Sequence, residues 1–404
     1  MATLMAPSPA APTLTPSTQT PSALLPVYKR APIELVRGEG IRLYDTEGRE
    51  YLDFTSGIAV NALGYGDEGL RNAINAAADG LIHVSNLFRT SPGEQLAQRL
   101  ADLSFADRVF FCNSGVEANE GAFKFARRWA RTVGSPAKHE IVGVRGSFHG
   151  RLFASLAATD RPAYRAPFRP LAGGVSIAER DLESLAGILA GETVAALVIE
   201  PIQGEGGVRV FDAGYLLELR ALTRERRIAL MFDEIQCGLG RTGHLFAYQR
   251  VNVVPDLMTL AKPIAGGLPM GAILMTEEIA ATIQPGDHGS TFGGGPFVTS
   301  VASHVLDRVA DPTLLESVRN GGDWLGETLR ELTARTGRIR DVRGTGFIWG
   351  IDVHEPAADV IRRARDEGLL LVGAGDHTLR VLPPLVATRA DLEEGLRRLE
   401  RALG

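Results

Sequence analysis

Two continuous apolar runs, "TVAALVIEP" at 193–201 and "RIALMFDEI" at 227–235, lack the in–out alternation of a half-buried strand. Runs of that kind mark strands covered on both faces, as in parallel sheets. Between them lies "YLLELRALTRERR", which reads as a helix. The same alternation begins near residue 100. "DRVFFCNSG" ends a short apolar run and leads into "VEANEGAFKFARRWAR", where Ala122, Phe125, Ala126 and Trp129 share one helical face. "HEIVGV" is the next buried strand. Strands alternating with helices predict an α/β fold, a mainly parallel sheet with helices on both sides. After about residue 305 the pattern changes to long amphipathic helices and short strands ("RGTGFIWGIDV", "TLRVLPPLV"), which predicts a second, smaller α+β domain.

At 404 residues the chain is long enough for two or more domains. Its 45% hydrophobic and 23% charged residues are ordinary for a globular protein. A formal net charge of −5 argues against non-specific nucleic-acid binding, which needs a basic footprint. No run approaches the roughly 18 apolar residues that would cross a membrane. Cys112 and Cys237 make neither a disulfide framework nor a metal spacing; no metal site is expected, and a cytoplasmic location suits them. Residues 1–26 are rich in Pro, Ser, Thr and Ala with no charged side chain, so a disordered tail is expected. That stretch has neither the arginines of a transit peptide nor the basic start of a signal peptide.

In parallel sheets, ligands gather at the carboxyl ends of strands. One such end is Asn113-Ser114-Gly115, where the backbone N–H groups of Gly115 and Val116 open a helix and can cradle a phosphate. A well-capped helix with Glu117 and Glu120 in its first turn is the plain alternative. A second end supplies Asp233, followed by Glu234 and Gln236. If the strand continues, alternation puts Asp233 with Ile235 and sends Glu234 and Gln236 to the other face. The third, "PDLMTLAK", ends in Lys262, which has no acidic residue within five positions on either side. A snorkelling lysine is the ordinary reading; a desolvated amine with a lowered pKa is a nucleophile toward carbonyls. Pyridoxal 5′-phosphate needs all three groups at once: phosphate donors, an acid at its ring nitrogen and an amine for its aldehyde.

These residues sit in nine motifs in order: "VRGEGIRLYDTEGREYLDF", "GIAVNALG", "FFCNSGVEANE", "SFHGRLF", "VIEPIQGEGGV", "DEIQCGLGRTG", "LAKPIAGGLPMGA", "HGSTFGG" and "RVLPPL". From about Val27 to the C-terminus the chain resembles the class-III (subgroup II) aminotransferases of fold type I, the acetylornithine aminotransferases above all. The resemblance implies a seven-stranded, mainly parallel sheet in a large cofactor domain at 71–305. It also implies a small domain at 306–404 that residues 27–70 join.

The resemblance also assigns roles. Lys262 is similar to the Schiff-base lysine and proton shuttle, and Asp233 to the partner of the ring nitrogen. Gln236 would bind the ring hydroxyl oxygen, Ser114, Gly115 and Val116 the phosphate, and Phe148 would stack on the ring. Thr291 resembles the residue that reaches the phosphate from the other subunit, which implies a homodimer with shared sites. Arg151 resembles the arginine that binds a substrate carboxylate, and Arg380, paired with Glu205, the one that takes the second carboxylate of glutamate or 2-oxoglutarate. Glu200 resembles an inner residue that positions Asp233 and Gln236. Tyr28 and Ser290 resemble substrate contacts.

The implied reaction moves the δ-amine of N2-acetylornithine to 2-oxoglutarate. The alternatives are donors of the same chemistry: ornithine, succinylornithine, 4-aminobutyrate or carrier-bound aminoadipate semialdehyde. An aminomutase of this fold is disfavoured by the Glu205/Arg380 pair. A non-catalytic cofactor-binding module would need a DNA-binding helix-turn-helix, for which no stretch is expected. Four departures stand out: "GYGDEGL" at 64–70 for a histidine-containing run, Cys237 for threonine, Pro263 for a small residue and Gly295 for asparagine. Pro263 is expected to push Lys262 out of the right-handed helical region.

Overall fold

The computed structural model describes residues 23–404, so residues 1–22 of the expected tail lie outside the described residues. The described residues 23–34 and residues Leu35–Gly404 fall into separate units. In the first, residues 23–34 are mostly exposed and carry a bend closed by a Val27 N–H to Leu25 carbonyl bond of 2.9 Å.

The second unit is built on a seven-stranded sheet in the order Arg108–Cys112, Gly271–Met275, Leu257–Leu260, Ala229–Asp233, Val194–Ile199, Glu140–Val144, Val175–Ala178. Strand Gly271–Met275 runs antiparallel to both neighbours; the other pairings are parallel. The two apolar runs are central strands of this sheet, and alternate residues feed two cores. Ala229 and Met231 pack with Ala122, Phe125, Ala126 and Trp129 of helix Gly115–Val133 on one face. Leu230 and Phe232 pack on the other, with Leu216 and Leu219 of helix Ala213–Glu225. Two buried faces require apolar residues at every position, which is why the runs are unbroken.

Two smaller four-stranded sheets and a two-stranded hairpin, Ile202–Gln203 with Arg209–Val210, complete the unit. One pairs Leu35–Glu39, Arg42–Asp45 and Glu50–Asp53 with Leu369–Leu370, so the segment after residue 34 is stitched to the C-terminal part of the chain. The other joins Ile339–Thr345, Ile348–Val353, Thr378–Val381 and Val372–Gly373. The expected boundaries at 70/71 and 305/306 fall inside helices Glu68–Ala78 and Pro296–Val309. The second core runs on without a break from Phe232 to Phe347 and Leu392. A change in sequence pattern marked a change of element type there, and packing crosses it.

Candidate functional site

The carboxyl ends of the parallel strands open into one cavity of about 460 Å³. Asn113 and Ser114 follow strand Arg108–Cys112, Glu200 follows Val194–Ile199, Asp233 ends Ala229–Asp233, and Lys262 stands two residues beyond Leu257–Leu260. Lateral register keeps these ends level: Phe232 pairs with Ile199, and Asp233 with Thr259. Gly115, Val116, Phe148, Arg151 and Gln236 line the same space. Because the strand stops at Asp233, Gln236 turns back into the cavity beside Asp233. Glu234 goes elsewhere, accepting from the N–H groups of Ala247 at 2.5 Å and Tyr248 at 2.7 Å. With the strand ended at Asp233, the alternation of a continued strand does not apply to Gln236.

Asp233 is 3% exposed and its carboxylate is held from three directions. Oδ2 accepts from Asn119 Nδ2 and His149 Nδ1, both at 2.8 Å, and Oδ1 from the Ile235 N–H at 3.1 Å. Asn119 is fixed in turn, donating to the His149 carbonyl at 2.7 Å and accepting from Thr259 Oγ1 at 2.8 Å. Burial works against a charged His149, but the hydrogen bond and charge of Asp233 outweigh it and raise the imidazole pKa. Its Nε2 is buried without a partner. Glu200, expected to position Asp233 and Gln236, instead accepts from the Phe148 N–H at 2.8 Å, and burial pushes its carboxyl up to about 7. The residues that position Asp233 are therefore Asn119 and His149. Neither was identified from sequence, although a polar Asn119 on an apolar helix face and a histidine inside "SFHGR" were the available signals.

Lys262 adopts φ +31°, outside the right-handed helical region as its position before Pro263 implies. That left-handed conformation is costly for a residue with a Cβ, by about 1–3 kcal/mol, and such strain collects at functional sites. Burial lowers the Lys262 pKa, an effect opposed by Asp233 and reinforced by Arg380. The amine is thus biased toward the neutral, nucleophilic form. At the other end, helix Gly115–Val133 begins with Ser114 as its cap, Oγ accepting from the Glu117 N–H at 3.3 Å. The first N–H groups of a helix have no intrahelical acceptor. Gly115 is needed there, since a Cβ would stand 2.7 Å from Ile235 Cδ1.

The two arginines differ. Arg151 is exposed, and its guanidinium lies 4.2 Å from the centre of the Tyr164 ring. Arg380 is 1% exposed. It sits behind Gln236, donating to Gln236 Oε1 at 2.9 Å and pairing with Glu205 Oε1 at 2.7 Å. Ser290 Oγ accepts from Asn113 Nδ2 at 3.2 Å, next to the cavity wall. Thr291 is exposed and does not line its own chain's cavity. Tyr28 belongs to the N-terminal unit, where it is exposed.

The model of the family "Aminotransferase class-III" matches residues 26–403, and the chain belongs to that family. It is 46% identical over 94% of its length to acetylornithine aminotransferase 1 of Bradyrhizobium diazoefficiens, 94% of which is covered. The crystal structure of N-acetylornithine aminotransferase from Stenotrophomonas maltophilia superposes with a TM-score of 0.82 at 37% identity, covering 93% of this chain and 96% of that one. Ornithine aminotransferase from Toxoplasma gondii gives 0.91 at 29% identity, covering 94% and 92%. Aminotransferases of this class work through pyridoxal phosphate. The donor set fits that group: unpaired N–H groups for a phosphate, a fixed carboxylate for a ring cation, an aromatic face at Phe148 and a pKa-depressed amine.

Proposed function

We propose that this chain transfers the δ-amine of N2-acetylornithine to 2-oxoglutarate, giving N-acetylglutamate semialdehyde and glutamate in arginine biosynthesis. The observation that carries the reading is an open arginine, Arg151, at a cavity that holds an amine and a fixed carboxylate, with a masked arginine, Arg380, directly behind the cavity-lining Gln236. When bound, pyridoxal phosphate supplies an electron sink for the carbon that bears the amine. Asp233 holds a proton on the ring nitrogen by favouring its cation. Lys262 Nζ would accept the proton released from the amine-bearing carbon of the donor. Ser114, Gly115 and Val116 would hold the phosphate, Phe148 would cover the ring, and Gln236 would donate to the ring oxygen from the amide end that does not face Arg380. Arg151 holds the one carboxylate of acetylornithine with a planar fork. Glu205 covers Arg380 while that donor is bound and yields it to the second carboxylate of 2-oxoglutarate. Ser290 and Tyr28 are proposed substrate contacts.

The proposed assembly is a homodimer in which Thr291 reaches the phosphate of the other subunit. Leu81, Ile82, Leu87, Phe88 and Phe292 are all exposed, an apolar surface of the kind that marks interfaces. His83 packs on Phe292 at 5.4 Å, and Asn86 donates to the Ser290 and Gly293 carbonyls, so this surface includes the Thr291 loop. A reducing compartment, the cytoplasm, is proposed from two buried, free thiols. Among the described residues no helix is long and apolar enough to cross a membrane.

The test is a panel of amine donors with 2-oxoglutarate, reading kcat/KM for each. Acetylornithine should lead ornithine, succinylornithine and 4-aminobutyrate; a higher value for another donor reassigns the substrate. Mixing Lys262→Ala and Thr291→Ala subunits should restore part of the activity through hybrid dimers. No restoration would count against shared sites.

A further inference from the structure

The loop that carries Glu205, "QGEGGV" at 203–208, is glycine-rich and nevertheless pinned. Three successive carbonyls each accept a hydrogen bond from a different arginine. Arg161 Nη2 donates to the Glu205 carbonyl, Arg209 Nε to that of Gly206 at 3.1 Å, and Arg343 Nε to that of Gly207 at 2.7 Å. Arg343 comes from strand Ile339–Thr345 and is itself locked by a two-pronged pair with Asp352, at 2.8 and 2.9 Å. None of the three lines the cavity; each reaches it only through the segment that carries Glu205. The glycines let the loop lie close: a Cβ on Gly204 would stand 2.0 Å from Gln236 Oε1, and one on Gly206 2.3 Å from the Gly146 carbonyl. A glycine-rich segment loses the most conformational freedom on ordering, and three charged donors offset that loss at the residue that covers Arg380.

We propose that Arg161, Arg209 and Arg343 form a backbone clamp that positions Glu205 over Arg380, and that Arg161, which holds the carbonyl of Glu205 itself, is a specificity-positioning residue. The inference rests on reading Arg380 as the site of the second carboxylate. The Glu205 carboxylate, 24% exposed, and the distal carboxylate of a substrate compete for one guanidinium that is 2% exposed. A clamped Glu205 loses little freedom when it pairs, so its cover is effective. With the clamp loosened, the cover weakens and a dicarboxylate meets less competition. Damage to the fold would act in the opposite direction and weaken every ligand.

The test uses the holoenzyme and glutarate, a dicarboxylate with no amine or keto group, whose binding is read by calorimetry and by the cofactor absorbance. Arg161→Met should tighten glutarate about 3–10-fold, with the Kd of valerate, a mono-carboxylate, unchanged. Arg161→Lys should bring glutarate binding back toward wild type. Glu205→Gln should tighten glutarate as well, and adding Arg161→Met to it should change nothing further, because the two act through one interaction. Weaker glutarate binding in Arg161→Met, or equal tightening in the Glu205→Gln background, overturns the clamp. Equal glutarate binding by wild type and Arg380→Ala removes instead the reading of Arg380 on which the clamp rests.

Discussion

The floor of the cavity and its rim are built on opposite principles. On the floor, Asp233, Asn119 and His149 are buried and each is held by at least two partners, so the carboxylate has one orientation. The rim is the pair of arginines, held so that their availability differs: Arg151 waits open at the cavity wall against an aromatic face, while Arg380, which does not line the cavity, waits behind Gln236 covered by an acid. A preorganised floor serves steps common to both substrates. A rim that can be covered and uncovered would, under the proposed function, distinguish one substrate from the other.

The comparison breaks if floor residues affect the two half-reactions unequally or rim residues affect them alike. The largest effect is expected for Lys262→Ala, which should slow both halves by at least ~10⁴-fold. Single-turnover absorbance reads this, with the donor amine added to one form of the holoenzyme and 2-oxoglutarate to the other. Residual turnover within tenfold of wild type would take Lys262 out of the chemistry. Asp233→Asn should cost about 10²–10³ in each half; a loss under threefold would make the carboxylate a structural cap.

Arg380→Ala sharpens the contrast. It should slow the glutamate or 2-oxoglutarate half by roughly 10²-fold and largely spare the acetylornithine half, apart from the effect of leaving Glu205 unpaired. Equal slowing of both halves would make Arg380 a general support of the site. The smallest effect is expected for Glu234→Gln, which lies outside both regions. Burial pushes the Glu234 carboxyl from 4.5 up to about 8, so the folded chain holds this proton more tightly than the unfolded one. Stability from this group therefore falls as pH rises from 4.5 through about 8. The variant lacks that loss: its Tm relative to wild type should rise by about 2–4 °C between pH 5 and 8 with the half-reactions unchanged. A gap independent of pH would mean that Glu234 is ionised throughout.

Much of the floor was legible because motif and strand end coincide. "CNSG", "FDEIQ" and "LAK" each close an apolar run, and a parallel sheet brings such closures to one edge. The contact of Glu200 was not legible because its partner is a backbone N–H 52 residues away, at Phe148, which no side-chain pattern encodes. His149 and Asn119 were missed for a related reason: their partner lies on another segment, and only the register of the sheet brings it near. The domain boundaries failed because helices Glu68–Ala78 and Pro296–Val309 pack across them.

Where each part of the site lies along the chain bears on how it matures. The floor is complete between Asn113 and Lys262, whereas Arg380 arrives on strand Thr378–Val381, near the end of the sequence. Its contact with Gln236 spans 144 residues of chain, and contacts between residues so far apart in sequence are slow to form. Synthesis runs from the N-terminus, so a ribosome-bound chain has made all the floor residues before it has made the arginine proposed to read the second carboxylate. Under that proposal, substrate discrimination is the last property this protein acquires.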